Sequence, residues 1–158
     1  MLKTIKLKIV TPERIVLEED VDSVTLPTTE GEITILPGHV SLISALKSGD
    51  IVAKKGEEYI PMAVVGGFIE VKNLVVELPI GSSTTKSVTV TEVAVLADFA
   101  EHVSEISDEA VAKAKARAEE LSKMKEDAVD FEHFESELER SITRVKIADK
   151  WRAKKYRK

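Results

Sequence analysis

Histidine is the residue type that most often binds metals or moves protons, and this chain of 158 residues has three, His39, His102 and His133. They are far apart in the sequence, without the short spacing of metal ligands and without a neighbouring pair of carboxylates. The chain has no cysteine, which excludes disulfides, zinc fingers and thiol nucleophiles. The sequence therefore predicts no metal site.

Two carboxylates and one lysine-containing run are the remaining candidates for catalysis. Glu30 and Glu32 flank Gly31, and a pair of carboxylates can act as general acid and base, although acids beside a glycine in a turn are usually solvated. The run 81–86, GSSTTK, lacks the second glycine with which a phosphate-binding loop wraps its ligand, so it is typical of a hairpin tip. The sequence predicts no catalytic residue and no cofactor.

Two apolar residues near the end of the chain are candidate anchors. On a helix, Ile147 and Trp151 lie one turn apart and roughly opposite Leu138 and Val145, so the two pairs cannot pack in the same seam. Tryptophan is prominent among the residues that dominate protein interfaces. We expect Ile147 and Trp151 to anchor the helix either on the rest of this chain or on another chain.

The end of the chain is basic although the whole chain is acidic. From Lys146 onward there are seven basic residues and one acidic residue, Asp149. This segment is either a solvated helix end, where positive charge suits the helix dipole, or an arm that docks on an acidic protein surface. A contact with nucleic acid is disfavoured because only Trp151 and Tyr156 could stack on bases.

Glycine and proline divide the chain into two parts that must position these residues. All 7 glycines and all 5 prolines lie at or before Gly81. In the first part apolar residues alternate with polar ones, as in Ile5, Leu7 and Ile9, and turn residues recur at short intervals, which is typical of a β-sandwich. We predict an α+β protein with an antiparallel β-sandwich in residues 1–99 and an antiparallel α-helical hairpin in residues 100–158.

The second part has helical periodicity. Ser107 is a predicted N-cap of the first helix and Asp130 of the second. The expected inward stripe of the first helix is Val111, Ala114, Ala118, Leu121 and Ala128. The expected inward stripe of the second is Phe131, Phe134, Leu138, Ile142 and Val145, joined by Tyr156. Because the first stripe is mostly alanine, the hairpin buries little apolar area, and we expect it to rest on the sandwich or on another chain.

Charge and hydropathy exclude some partners. The formal net charge is -5 and the isoelectric point is about 5.4, which disfavours binding of the whole domain to nucleic acid or to anionic lipid. No run of residues is long and apolar enough for a membrane span, and the first thirty residues do not resemble a targeting peptide. We expect an intracellular protein.

Three runs carry a resemblance to a known family. The run 11–51, TPERIVLEEDVDSVTLPTTEGEITILPGHVSLISALKSGDI, is followed by GGFIEV at 66–71 and VLAD at 95–98. Together they resemble the epsilon subunit of F-type ATP synthase, and TEGEITILPGH is the most specific block. The resemblance implies a non-catalytic subunit of the rotor's central stalk, which couples proton-driven rotation to ATP synthesis.

The resemblance also implies partners. The sandwich is expected to bind the gamma subunit and to rest on the membrane rotor ring, with Glu32 at the ring and His39 near gamma. The hairpin is expected either to fold against the sandwich or to extend along gamma and inhibit ATP hydrolysis. The basic tail, including Arg152, Lys154 and Lys155, is then expected to contact an acidic segment of the catalytic beta subunits, so contact with alpha and beta is transient.

The chain departs from the family in two places. Some relatives bind ATP through a motif resembling I-D-x-x-R-A, but here Val111 replaces the arginine and cannot pair with phosphate, so we expect no tight ATP binding. The segment from Leu74 to Thr91 is longer than the usual link. Its alternating valines, Val88 and Val90, predict an added or extended hairpin at the edge of the sandwich.

Two alternatives remain open at this stage. One is a free-standing scaffold protein of an unrelated assembly, and the other is a small hydrolase that uses Glu30 or Glu32. The family resemblance favours the stalk subunit, placed peripherally on the cytoplasmic side of the bacterial inner membrane with no span of its own.

Overall fold

The computed structural model describes residues 4–80, 84–124 and 131–155 of the chain, and of residues 80, 84, 131, 132 and 155 it describes the backbone alone. Within these ranges ten strands are followed by two long helices. The strands are β1 (Ile5–Val10), β2 (Ile15–Val21), β3 (Ser23–Thr28), β4 (Gly31–Ile35), β5 (Leu42–Ala45), β6 (Gly49–Lys55), β7 (Glu58–Val65), β8 (Phe68–Ile80), β9 (Thr84–Leu96) and β10 (Phe99–His102). A 3₁₀ turn (Val103–Glu105) leads to α1 (Asp108–Met124) and α2 (Phe131–Lys155).

The strands form two five-stranded sheets that pack face to face. The first sheet has the order β2-β1-β9-β8-β5, and the second has the order β10-β7-β6-β3-β4. The predicted alternation holds, because Ile5, Leu7 and Ile9 are fully buried between the sheets while Lys6 and Lys8 face outward. The predicted α+β architecture, a sandwich followed by a helical hairpin, is therefore confirmed.

One strand pair is not antiparallel. β1 pairs with β2 in the antiparallel sense and with β9 in the parallel sense, with Ile5 opposite Thr91 and Val10 opposite Leu96. Strand β9 reaches its place beside β1 only after the chain has formed β3 to β8, which alternate between the two sheets. Local sequence patterns carry no information on such a distant pairing.

The turn between β7 and β8 brings two backbones into close contact. Gly67 has φ +103°, and a Cβ atom there would lie 2.0 Å from the carbonyl oxygen of Leu96. Only glycine fits this position, because any side chain would collide with the neighbouring backbone. The tight turn aligns the start of β8 with the end of β9.

The predicted extended hairpin is confirmed, but its strands β8 and β9 lie inside the first sheet, between β1 and β5, and not at its edge. β8 and β9 pair continuously from Phe68 opposite Leu96 to Ile80 opposite Thr84. In the described residues, β5 pairs with β8 as far as Val71 and β1 pairs with β9 from Thr91 onward. Beyond those points the two strands continue as a two-stranded ribbon, and residues 81–83 at its tip lie outside the described part of the chain.

The helices begin close to where the sequence predicts. The hydroxyl of Ser107 accepts a hydrogen bond from the backbone N–H of Ala110 at 3.1 Å, as expected of an N-cap. Val111, Ala114 and Leu121 are buried on α1 as predicted. Ala128, Asp130 and Tyr156 lie outside the described residues.

The inward face of α2 is only partly the predicted one. Phe134 is buried, but Ile142 is exposed, whereas its neighbours Ser141 and Thr143 are buried. The difference arises because α2 packs on two surfaces, α1 and the second sheet, so that the buried arc of the helix is rotated from the arc that α1 alone would cover.

The proposed division between residues 99 and 100 stays a prediction. All four residues of β10 pair with β7, from Phe99 opposite Val65 to His102 opposite Met62. The sheet thus continues to His102, and α1 begins at Asp108.

Candidate functional site

The contact between α2 and the second sheet centres on a buried carboxylate. Asp50, the second residue of β6, is only 9% exposed. Its two oxygens accept hydrogen bonds from Lys150 Nζ at 2.8 and 2.7 Å, and one of them also accepts from Trp151 Nε1 at 3.0 Å. We call these three residues the Asp50 clasp.

The clasp forms because of the strand alternation in β6 and β7. Ile51 points between the sheets, so Asp50 points to the opposite, helix-facing side, where its strand partner Ala63 also lies. On α2, Lys150 and Trp151 both reach the same carboxylate. Burial of a carboxylate is tolerated here because charged and neutral donors satisfy both of its oxygens.

The apolar part of this contact is small. A cluster beneath α2 contains five buried residues, which are Ala63, Ile106, Val111, Ile147 and Ala148. The core between the sheets is a much larger and separate cluster. Since the hydrophobic contribution scales with buried apolar area, the sandwich is held together far more strongly than the hairpin is held to it.

Further polar contacts tie the middle of α2 to the sandwich. Arg144 Nε donates to Glu101 Oε2 at 2.7 Å. The guanidinium groups of Arg140 and Arg144 lie over the ring of Phe99, at 5.5 and 4.9 Å from its centroid. Cation–π contacts of this kind contribute about 0.5–1 kcal/mol at exposed sites. Next to the start of β6, the hydroxyl of Ser48 donates to the carboxylate of Glu139.

Ile147 and Trp151 both pack on the sandwich in this structure. Ile147 is buried in the cluster beneath α2, and Trp151 is half-buried against it. This is the first of the two arrangements expected for the pair. Trp151 also carries the ammonium of Lys154 over its ring, 4.4 Å from the centroid.

The basic residues expected to contact the beta subunits lie near the end of the folded hairpin. Arg152 pairs with Asp108 at the start of α1, with 2.7 Å between Nη2 and Oδ1. Arg152 and Lys154 also line an open groove of about 910 Å³ between α2 and the second sheet. The side chain of Lys155, like residues 156–158, lies outside the described part of the chain.

Glu32 and His39 are placed at different ends of β4. Glu32 is exposed next to the β3–β4 turn, opposite Pro27, and lines the same groove as Trp151. His39 lies in the loop that follows β4, where its backbone N–H donates to the carbonyl of Leu36 and its carbonyl accepts from Asn73 Nδ2. Both roles expected for these residues stay predictions.

The two carboxylates considered for acid–base chemistry lie at the β3–β4 turn. Glu30 is exposed in the turn beside Glu32. Within residues 4–80, 84–124 and 131–155 no three side chains of the metal-binding types come together. Val111, which the resemblance aligns with the arginine of the relatives' ATP-binding motif, is buried in the cluster beneath α2.

The outer face of the first sheet is open and partly apolar. Ile43 is 75% exposed, and Phe68 and Leu96, which pair directly across β8 and β9, are each 59% exposed. An exposed group of large apolar side chains on one face is typical of a protein interaction surface. We call Ile43, Phe68 and Leu96 the open face.

The sequence reasoning missed Asp50, Glu101 and Phe99. Asp50 follows Ser48-Gly49, where an acidic residue is ordinary turn chemistry, and its partners are 100 residues away. Phe99 begins the last strand, β10, and no local sequence pattern indicates that Arg140 and Arg144 stack on its ring. A single sequence offers no means of pairing such residues with α2.

Helices α1 and α2 are joined by an arginine–carboxylate pair. Arg117 Nε and Nη2 donate to the two oxygens of Glu137 at 2.8 and 3.2 Å. The hydrogen bonds from Arg117 hold the pKa of Glu137 below its ordinary value of 4.5.

The first prediction concerns this pair. We expect Arg117→Gln to raise the pKa of Glu137 towards 4.5, measured by NMR titration of the side-chain carboxyl. Because the pKa is lowered in the folded state, the pair stabilises the hairpin above the ordinary pKa, and this contribution is lost as the pH falls through the lowered value. The control Lys113→Gln, which breaks the exposed pair with Glu109, should leave Glu137 unchanged. An unchanged titration in Arg117→Gln would contradict the assignment.

Comparison with known proteins shows what the chain is similar to. Residues 4–79 match the family model described as the beta-sandwich domain of the ATP synthase delta/epsilon chain. The ATP synthase epsilon chain of Desulforamulus reducens is 38% identical over 149 residues, which cover 94% of this chain and 100% of that protein. The ATP synthase epsilon chain of Halalkalibacterium halodurans is 36% identical, with 93% of this chain and 98% of that protein covered.

A solved structure supports the fold. A chain from the mitochondrial ATP synthase of Euglena gracilis aligns with 97% of this chain and 82% of its own length, with a TM-score of 0.58 and 23% identity. At this identity the likeness concerns the fold alone.

Proposed function

Because the chain belongs to the family of ATP synthase epsilon chains, we propose that it is a non-catalytic subunit of the rotor's central stalk, which couples proton-driven rotation to ATP synthesis. One structural observation supports this proposal most strongly. The sandwich has one outer face covered by its own helix α2 and one outer face that is open and partly apolar. Such a module can hold a partner on the open face while the helical part remains free to move.

The gamma subunit is the proposed partner of the open face. Ile43, Phe68 and Leu96 lie on the side of the sandwich away from α2, so a partner can dock without displacing the helix. His39 lies in the loop just before β5, which carries Ile43, and it therefore stands at the border of this face. Two arguments therefore favour the same surface as the gamma-binding surface. One is the resemblance, which implies that His39 lies near gamma, and the other is the exposure of the open face.

The second prediction tests this partner. In co-expression with gamma, we expect a stable one-to-one complex, and we expect Phe68→Asp to weaken it by about tenfold or more, because a buried aromatic contact is replaced by a desolvated charge. Tyr59→Asp is the matched control, since Tyr59 is an exposed aromatic residue on the second sheet. Failure of the unsubstituted chain to bind gamma would favour the scaffold alternative. Equal weakening by both substitutions would contradict the assignment of the open face.

The rotor ring is the proposed partner of the β3–β4 turn. Glu32 is exposed there, where it lines the groove beside α2, and Glu30 and Gly31 form the tip beside it. An exposed turn that carries carboxylates suits hydrogen bonding with the polar loops of a membrane ring. The chain would then rest on the ring at this end and contact gamma through the open face.

The helical hairpin is proposed to act as a reversible inhibitor of ATP hydrolysis. The folded position depends on a small apolar cluster, the Asp50 clasp and a few polar contacts in the middle of α2. The folded and extended positions can therefore differ by only a few kcal/mol, and partners can reverse the preference. In the extended position the end of α2, which carries Arg152, Lys154 and Lys155, would contact an acidic segment of the beta subunits.

The proposed location follows from the complex. No helix in the described ranges has the length and hydrophobicity needed to span a bilayer. We place the protein peripherally on the cytoplasmic side of the bacterial inner membrane, held there through gamma and the rotor ring.

A further inference from the structure

The ribbon formed by residues 74–80 of β8 and 84–90 of β9 has no role in the functions proposed so far. We call it the arm. It is nearly uncharged, since Glu77 and Lys86 are its only charged residues in the sequence. In the described residues its two strands pair with each other and with no third strand, so both of its edges are open. Open, uncharged strand edges promote unwanted association unless a partner covers them.

The base of the arm is joined to the loop that carries His39. Asn73 Nδ2 donates to the carbonyl of His39 at 2.8 Å, and Thr91 Oγ1 donates to Asn73 Oδ1 at 2.8 Å. The backbone N–H of Gly38 donates to Thr91 Oγ1 at 2.7 Å. These three hydrogen bonds link β8 and β9, at the base of the arm, to the loop that carries His39. They fix the position of the arm relative to that loop.

An exposed apolar corner lies at this junction. Val75 points to the same side of β8 as Asn73, and therefore towards the His39 loop. Val75 is 71% exposed and Val40, the residue after His39, is 72% exposed, while Leu36 at the start of the loop is also exposed. Exposed apolar side chains on this loop, and on the strand that is hydrogen-bonded to it, form a surface that water solvates poorly.

We propose that this corner, Leu36, Val40 and Val75, binds the gamma subunit, so that the arm extends the gamma interface beyond the open face. The inference rests on the proposed function. Its main support is continuity, because the corner adjoins His39 and the same loop leads directly into β5, which carries Ile43 of the open face. If gamma lies against the apolar open face, the adjoining apolar corner can become part of the same interface.

Two other occupants fit less well. Pairing with a second copy through the edge of β8 is hindered because Pro79 has no N–H to donate to a new ladder. Binding to an anionic membrane surface would need a basic cluster, and Lys86 is the one basic residue in the arm.

The test uses the full chain and full-length gamma. We expect Val75→Asp and Val40→Asp each to weaken gamma binding by about tenfold, measured by calorimetric titration. Ile15→Asp is the matched control, because Ile15 is an exposed aliphatic residue on β2, at the opposite edge of the same sheet, and this substitution should leave the affinity unchanged. Sedimentation of the free chain, with and without Val75→Asp, measures self-association.

Each outcome separates this inference from the proposed function. If the unsubstituted chain binds gamma and Val75→Asp and Val40→Asp bind equally well, the corner is not part of the interface, although the open face can still be. If the free chain dimerises and Val75→Asp abolishes the dimer without weakening gamma binding, a second copy is the occupant and the inference is wrong. If the unsubstituted chain does not bind gamma at all, the proposed function fails as well.

Discussion

Replacing Asp50 with alanine is expected to release α2 from the sandwich. The substitution leaves Lys150 and Trp151 without their shared acceptor at a contact whose apolar part is small. Leaving such donors unpaired costs about 2 kcal/mol, which corresponds to roughly a thirtyfold shift from the folded towards the extended position. Asp50→Asn, which retains an acceptor but not the charge, should have a smaller effect.

Trp151 reports this release directly. It is the single tryptophan of the chain, and in the folded position it is half-buried with its Nε1 bonded to Asp50. We expect a red shift of tryptophan emission in Asp50→Ala. Asp149→Ala is the matched control, because Asp149 is an exposed carboxylate on the same turn of α2, 4.0 Å from Lys115, and this change should leave the emission unchanged. Identical emission spectra for Asp50→Ala and the unsubstituted chain would show that the clasp does not hold the helix.

In the assembled complex the same substitution should lower ATP hydrolysis, because it favours the extended position, which we propose to be the inhibitory one. The effect should disappear when the hairpin is absent. If Asp50→Ala lowered hydrolysis equally in a chain without helices, its effect would come from the sandwich and not from the hairpin.

Deletion of the hairpin after His102 is expected to raise ATP hydrolysis severalfold in the assembled complex. The cut keeps β10, whose residues from Phe99 to His102 all pair with β7, so the second sheet stays complete. The core between the two sheets is separate from the cluster beneath α2, and therefore the sandwich should still assemble with gamma. Steady-state ATPase activity measures the outcome, and unchanged activity would rule out inhibition by the hairpin.

The sequence predicted the sandwich well because strand alternation is a local signal. Ile5, Leu7 and Ile9 alternate with lysines on a half-buried strand. This pattern predicts which side chains are buried, even when the partner strands are not known. The extended β8–β9 hairpin was predicted in the same way, from the alternation of Val88 and Val90. The parallel pairing of β1 with β9 could not be predicted, because it joins segments about 85 residues apart.

The helical part shows where periodicity fails. The stripe of α1 was predicted correctly at Val111, Ala114 and Leu121, since that helix buries one face. On α2 the pattern predicted that Ile142 points inward, but the helix packs on two surfaces and buries Ser141 and Thr143 instead. A single period describes one buried face, and a helix between two partners has a wider buried arc.

The candidate site was predicted only in part. Trp151 and Ile147 were identified because they lie off the main stripe of their helix, and this is also why they reach the second sheet. Asp50 was missed, because a carboxylate after Ser48-Gly49 has the composition of an ordinary turn. Its function depends on a residue 100 positions away, which no local pattern reports.

The distance between α2 and the second sheet tests most directly whether the hairpin is reversibly docked on the sandwich. The chain has no cysteine, so Tyr59→Cys and Lys154→Cys can carry a pair of spin labels on the two sides of the groove that both residues line. We predict one short distance in the free chain and an additional long distance in the assembled complex. A single short distance in both, with ATP hydrolysis inhibited, would contradict a mobile hairpin.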